Sequence, residues 1–454
     1  MPTFSIENFG CRATHADAAA IERQLLDRGL ERVGDHGSAE LVVLNTCTVT
    51  GAADAQAREA IRHIHAANRN ARILVTGCYA QRAPEELARL DGVEWVVGNS
   101  HQPAIADLVL RAVAQRSPGA AGFVPASVLA DPELSLARGP AKILTSDIFQ
   151  VTGVVLEPLD GVESGRTRPT LKIQDGCNNR CSYCVIPFVR GNSRSLAPGR
   201  VIAEIGSLVS AGAREIVLSG INLGSYGRDL TPRVPLDKLI RRVMGETSLE
   251  QLRLSSIEPM DVTQDFVEMI AGEQRIARHF HMPLQSASDP VLKAMHRWYR
   301  AAHYERRVEI IRELLPDAAI GADLIAGFPG ETERDFRATL DFVERLPFSY
   351  LHVFSFSVRP GTAAVHLEDQ VPPPVIRERA RILRDLGQRK SARFRAANAG
   401  KNLRALTLMH RGEAWTEALT GNYLKLRVAG DWPANIWLDV RVPPDGSLAA
   451  ATRS

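Results

Sequence analysis

The stretch KIQDGCNNRCSYCVIPFVRG, residues 172–191, holds three cysteines, Cys177, Cys181 and Cys184, with three and then two residues between them. The run just ahead of it, Thr170-Leu171-Lys172-Ile173, alternates polar and apolar as a half-buried strand does. Three thiolates in one loop are one short of a closed site, because a structural zinc or a ferredoxin cluster takes four protein ligands. A tight three-cysteine loop therefore suggests a [4Fe-4S] cluster with one iron left open for a small molecule. A zinc knuckle would have to borrow a histidine, and none occurs between His101 and His279.

A second set of cysteines lies upstream. Over residues 1–115 a short strand repeatedly ends in a polar loop and gives way to a helical pattern. The strands at 4–8, 41–44 and 73–76 lead to Cys11, Cys47 and Cys78, and helical patterns follow at 16–28, 52–68 and 84–89. A fourth strand at 95–97 precedes a helix near 103–114. This alternation predicts a parallel sheet, in which the loops beyond adjacent strand ends converge on one crevice. Cys11, Cys47 and Cys78 can then meet as a second open three-ligand site. Free cysteines are more often small buried residues, but three with the same placement favour ligands.

With both sets in view, the chain resembles the radical-SAM methylthiotransferase family, SAM being S-adenosylmethionine. The resemblance rests on Asn45-Thr46-Cys47-Thr48-Val49-Thr50, Gly77-Cys78-Tyr79-Ala80-Gln81, Gln174-Asp175-Gly176-Cys177-Asn178-Asn179 and the C-x3-C-x2-C loop itself. It is most similar to the branch acting on threonylcarbamoyladenosine beside the tRNA anticodon. After Cys11 the family usually has a Lys-Val-Asn-Gln-like run, where this chain has Arg12-Ala13-Thr14-His15. The resemblance implies two [4Fe-4S] clusters, one on Cys177, Cys181 and Cys184 and the other on Cys11, Cys47 and Cys78. The first would reduce SAM to a 5′-deoxyadenosyl radical that takes a C2 hydrogen from the adenosine. The second would carry the sulfur, and a second SAM would supply the methyl group. The implied partners are tRNA, SAM, an electron donor such as flavodoxin or ferredoxin, and a sulfur donor. Isopentenyladenosine in tRNA or an aspartate of a ribosomal protein is the alternative substrate. A non-catalytic metal-containing RNA-binding protein is the alternative of a different class.

From residue 168 the strand-helix alternation resumes, with strands near 170–174, 215–219, 251–255, 279–283, 319–324 and 349–355. Helical patterns lie between them at 198–211, 235–246, 262–271, 303–314 and 332–345. Six such units predict an open, partial (βα)6 barrel, with its chemistry on loops at the carboxyl ends of the strands. Polar strand ends stand at Ser219-Gly220-Ile221-Asn222, Ser255-Ser256-Ile257-Glu258, Pro283-Leu284-Gln285 and Gly327-Phe328-Pro329-Gly330-Glu331-Thr332. By resemblance, Tyr183, Ser219, Gly220, Asn222, Ser256, Glu258 and Gln285 are the candidate SAM contacts. Arg190 and Arg194, soon after the loop, could hold a carboxylate or phosphate in bidentate fashion or lie on a solvated surface. His279 and His281 alternate on one strand and can point into the barrel; with two clusters accounting for the metal, neither is assigned as a ligand.

The composition, 45% hydrophobic and 24% charged, is that of a soluble globular protein. No apolar run approaches the ~20 residues of a membrane span, and no basic-then-apolar leader is seen, so a cytoplasmic protein without membrane attachment is expected. The net charge of +3 hides an asymmetry, because residues 375–411 carry eleven Lys and Arg against Glu378 and Asp385, a local +9. Such a segment is expected to track a phosphate backbone. Beyond it, strand patterns at 403–409, 423–428 and 436–442 predict a small β-barrel resembling the RNA-binding TRAM domain. The expected order is thus an α/β methylthiotransferase domain (1–116), a Gly/Pro-broken linker (117–165), the barrel (166–371), a basic helical connector (372–399) and the β domain (400–454).

Overall fold

A computed structural model describes residues 2–114, 134–135, 141–154 and 167–454. The apolar triplets Val42-Val43-Leu44, Ile73-Leu74-Val75 and Trp95-Val96-Val97 are all buried, as strands covered by helices on both faces must be. They form β3 (Leu41–Thr46), β4 (Arg72–Gly77) and β5 (Val93–Gly98). With β1 (Thr3–Asn8), β2 (Glu31–Arg32), β6 (Leu134–Ser135) and β7 (Lys142–Leu144) they make one sheet, in the order β2-β1-β3-β4-β5-β7-β6. All neighbours are parallel except β6 and β7. The helix after the second cysteine, Gly51–Ala67, starts where the Thr50 hydroxyl accepts from the Ala53 N–H at 3.2 Å.

The stretch 117–165 was expected to be connection alone. Its described part does more, because Lys142–Leu144 joins the sheet edge beside β5. The rest of that expected linker lies outside the described residues. The helix after Cys11 also begins earlier than its apolar periodicity indicated, at Arg12 rather than near 16.

The barrel strands are β8 (Thr170–Asp175), β10 (Glu215–Gly220), β11 (Gln251–Leu254), β12 (His279–His281), β13 (Ala319–Ala326) and β14 (Tyr350–Ser355), with the two-residue β9 (Arg194–Ser195) antiparallel to β8. β8, β10 and β11 pair in parallel, as do β12, β13 and β14, and a Ser256–His281 bridge connects the halves. The result is the open six-strand barrel expected. The helix Pro373–Ala397 lies along β14, where Gly387 approaches Leu351 and buried Ala380, Leu383 and Leu386 complete the barrel's apolar core.

That helix changes the reading of the basic segment. Arg379 is buried against Glu331, Arg389 and Arg393 pair with Glu344, and Lys390 is buried on the carbonyls of Glu344 and Leu346. Lys401, Arg404 and Arg411 pair with Asp317, Glu250 and Asp431. Much of the local +9 is therefore neutralised by carboxylates distant in sequence, which a count along the chain does not see.

The C-terminal strands β15 (Asn402–Gly412), β16 (Trp415–Thr420), β17 (Lys425–Ala429), β18 (Trp437–Arg441) and β19 (Ala450–Arg453) form a curled antiparallel sheet, with Val428 bridged to Ala449 across its open edges. β16 and β19 were not anticipated. The sheet seals the amino-terminal end of the barrel: buried Arg253 pairs with Glu215 and donates to the Thr420 and Gly421 carbonyls at 3.1 Å, and Tyr423 stacks on His279 with 4.1 Å between ring centroids. Among the described residues, that leaves the opposite, carboxyl end for chemistry.

Candidate active site between two cysteine sets

Strand register brings the first set together. Asn8 pairs with Asn45 and Thr46 with Gly77, so Cys47 and Cys78 leave adjacent strands at the same level. Gly10, in the loop to Cys11, is so close that a Cβ there would lie 2.5 Å from Cys47 Cβ. Gly77 has φ +98°, and its missing side chain would meet the Thr46 carbonyl at 2.3 Å, so only glycine can deliver Cys78 into this corner. Cys47 and Cys78 are buried and Cys11 is exposed. Burial, with repulsion from Cys78 and Cys11, pushes the Cys47 thiol up to about 12. Burial likewise raises Cys78. Without a cation these thiols stay neutral, and a bound cationic group would draw them out as thiolates.

The second set is folded by its own loop. Cys177 N–H donates to the Gly191 carbonyl at 3.0 Å, and Cys184 N–H to that of Cys181 at 3.1 Å. Burial and repulsion from Cys181 push the Cys184 thiol up to about 12. The Asn222 side chain hydrogen-bonds the Cys177 sulfur, and Arg297 Nη1 lies 3.4 Å from Cys181 Sγ while pairing with Glu258.

The donor geometry separates cluster from zinc. A single zinc holds its sulfurs at about 2.3 Å, which brings them to roughly 4 Å from one another. Among the described residues, only His281, Asp323 and His352 place His, Cys, Asp or Glu ligand atoms within 4.8 Å of one another in a group of three. Both cysteine triads are wider than that, as ligands to separate irons of a cubane must be. Three thiolates in each set fit a [4Fe-4S] group with one open iron.

The two sets are packed together. Cys78 shares a small buried cluster with Val185 and Val189, one and five residues after Cys184. Arg190, 1% exposed, donates to Cys78 Sγ at 3.2 Å, to Asp175 at 3.1 Å and to Asp17 at 2.6 Å. Lys172 pairs with the same two carboxylates. A cavity of about 190 Å³ opens beside them, bounded by Val49 and Thr50 just past Cys47, by Tyr183 and Cys184, and by Gln285 and Asp323 on the barrel.

The seven expected SAM contacts surround the cysteine loop unevenly. Asn222 reaches Cys177, Glu258 is linked to Cys181 through Arg297, and Tyr183 and Gln285 line the cavity with Cys184. Gly220 sits against Gln174, whose Oε1 accepts the Asn222 N–H at 2.8 Å; Ser219 is buried in β10 and Ser256 bridges to His281. Arg190 and Arg194 do hold carboxylates, but internal ones, and both are buried rather than presented to a ligand. His279 and His281 point into the barrel as expected and share the Tyr350 hydroxyl at 2.7 and 3.0 Å. Sequence reasoning missed Arg297, Asp323 and Arg359. Arg359 donates to Asp54 at 2.6 Å and to the Thr48 carbonyl, tying the loop after β14 to the residue following Cys47. Their signals are tertiary, since these partners lie 29 or more residues away in sequence.

Residues 3–98 match the profile described as "Uncharacterized protein family UPF0004", and residues 171–343 that of the "Radical SAM superfamily". Threonylcarbamoyladenosine tRNA methylthiotransferase MtaB of Aquifex aeolicus is 35% identical over 430 residues, 94% of this chain and 96% of its own length. The chain belongs to the radical-SAM tRNA methylthiotransferases. The MtaB protein of Bacillus subtilis is 36% identical over 84% of this chain and 80% of its own length. The tRNA-2-methylthio-N(6)-dimethylallyladenosine synthase of Syntrophobacter fumaroxidans is 34% identical over 83% and 78%. Among solved structures, the radical SAM methyltransferase TsrM of Kitasatospora setae aligns with a TM-score of 0.54 and 18% identity, covering 80% of this chain and 77% of that one, a likeness of fold alone. This methylthiotransferase is accordingly a transferase of the radical SAM type, using SAM and two [4Fe-4S] clusters to modify tRNA. The reading as a non-catalytic metal-containing RNA-binding protein falls away. Among its described residues no helix is long and apolar enough to cross a membrane.

Proposed function

We propose that this enzyme replaces the C2 hydrogen of N6-threonylcarbamoyladenosine, beside the tRNA anticodon, with a methylthio group. The observation that carries this reading is the single cavity bounded by the residues after Cys47 on one side and by Cys184 on the other. The choice of nucleoside is supported by the names of relatives that run nearly the whole length of the chain. When bound, the group on Cys177, Cys181 and Cys184 supplies a SAM-derived radical able to open an unactivated C–H bond, and the group on Cys11, Cys47 and Cys78 supplies sulfur.

The chain's own residues position and exclude. Tyr183, Ser219, Gly220, Asn222, Ser256, Glu258 and Gln285 are the proposed SAM contacts, with Arg297 holding Glu258 in place. Phe354 and Phe356 give the cavity an aromatic wall on which a flipped base can stack and from which water is kept. A low-potential donor such as flavodoxin or ferredoxin and a separate sulfur donor complete the system, in the cytoplasm.

Nucleoside mass spectrometry of tRNA from cells with and without this gene tests the assignment. The expected result is loss of the methylthio form of threonylcarbamoyladenosine, with the unmodified precursor accumulating. Loss of methylthio-dimethylallyladenosine instead would transfer the chain to the second reading, which relatives of that name also support.

A further inference from the structure

We propose that His281, Asp323 and His352 form a binding site for one divalent transition-metal ion, separate from the six cysteines. The three residues come from neighbouring strands β12, β13 and β14, with Asp323 directly opposite His352 in the ladder. His281 Nε2 lies 2.9 Å and His352 Nδ1 3.2 Å from the same Asp323 oxygen. Ligands bonded at about 2.0–2.2 Å to one ion stand roughly 3 Å or a little more apart, so small side-chain movements admit the ion without rebuilding the backbone.

The surroundings hold these ligands in place. The second ring nitrogen of His281 faces the Tyr350 hydroxyl at 3.0 Å, an outer contact of the kind that orients a metal-binding imidazole. Tyr350 can lie across the barrel only because residue 321 is glycine, whose Cβ would fall 2.0 Å from the tyrosine ring. The Asp323 carboxylate lies between the two imidazoles and supplies the oxygen ligand.

Two imidazoles and one carboxylate select a borderline ion such as zinc or ferrous iron rather than calcium or magnesium. Three protein ligands leave coordination positions free. Asp323 lines the cavity that Cys184 also borders, so those positions are within reach of a molecule bound there. The site is independent of which nucleoside is modified.

The test uses anaerobically reconstituted holoenzyme, whose cysteines are occupied, exposed to Zn2+ alone and then freed of excess by gel filtration. The expected result is one zinc per chain beyond the cluster iron, with an X-ray absorption first shell of nitrogen and oxygen. Asp323→Asn and His352→Ala should each weaken zinc binding by about tenfold or more at unchanged iron content. His352 is largely exposed, so its replacement leaves the fold intact. Wild-type protein that retains no zinc, zinc with sulfur ligands, or both variants retaining full zinc would overturn the proposal, leaving the three residues a hydrogen-bonded cluster only.

Discussion

Arg190 donates its Nε–H to Cys78 Sγ at 3.2 Å, joining the helix behind the radical-SAM loop to the N-terminal cysteine set. The surrounding charges give this contact its meaning. Asp17 and Asp175 face Lys172, Arg190 and Arg194, which leaves one buried positive charge in excess unless Cys78 is a thiolate. The interface is therefore complete electrostatically when the first cysteine set is metallated.

Arg190→Met should destabilise the protein by about 1.5–3 kcal/mol, because Asp17 and Asp175 each lose a buried charge-assisted hydrogen bond while keeping Lys172. Arg190→Lys, which keeps the charge but loses the planar fork, should cost less. Denaturant unfolding of the three proteins measures this, and equal stability of Arg190→Met and wild type would contradict it.

The same network fixes the sign of a pH effect. Burial alone would raise Asp175, but Lys172, Arg190 and Arg194 outweigh it and hold the carboxyl well below the usual range. A depressed folded pKa stabilises above the unfolded value of about 4 and is lost as pH falls below it. The urea midpoint of wild type should drop below pH 4, and Asp175→Asn should show a shallower drop. Parallel curves for the two proteins would argue against the network.

Much of this site was legible in the chain. Three cysteines each just past a strand, and a fourth strand beyond them, sufficed for the parallel sheet and for the convergence of Cys11, Cys47 and Cys78, because strand–helix alternation implies parallel neighbours whose carboxyl ends lie on one side. The C-x3-C-x2-C loop was legible for the same reason. Arg190 was misread as a ligand-binding residue because its partner Asp17 lies 173 residues away. Glu344 and Glu331 likewise neutralise a helix that looked freely basic. β16 was missed between hairpin turns.

Reconstituted protein should hold about eight irons, two cubanes on six cysteines. Replacing Cys177, Cys181 and Cys184 together by alanine should halve the iron and abolish SAM cleavage. A triple variant that still cleaves SAM would remove the radical chemistry from this loop.

The basic helix now divides in two. Lys390→Ala should destabilise the fold, because its buried ammonium holds the carbonyls of Glu344 and Leu346. Arg377 and Arg384 are exposed and carry no ion pair among the described residues. Their replacement by alanine should leave stability unchanged, weaken tRNA binding, and lower the slope of log K against log salt by about 0.7 to 0.9 per contact. Unaltered tRNA affinity and slope would move RNA contact to the barrel mouth or the C-terminal sheet.

The central claim is that one cavity is served by two metal groups with different tasks. Cys11, Cys47 and Cys78 replaced together by alanine, assayed for 5′-deoxyadenosine and methylthio nucleoside in the same reaction, tests it most directly. The account predicts SAM cleavage near the wild-type level with no methylthio product. Equal loss of both products in a variant that stays folded and keeps half its iron would contradict it.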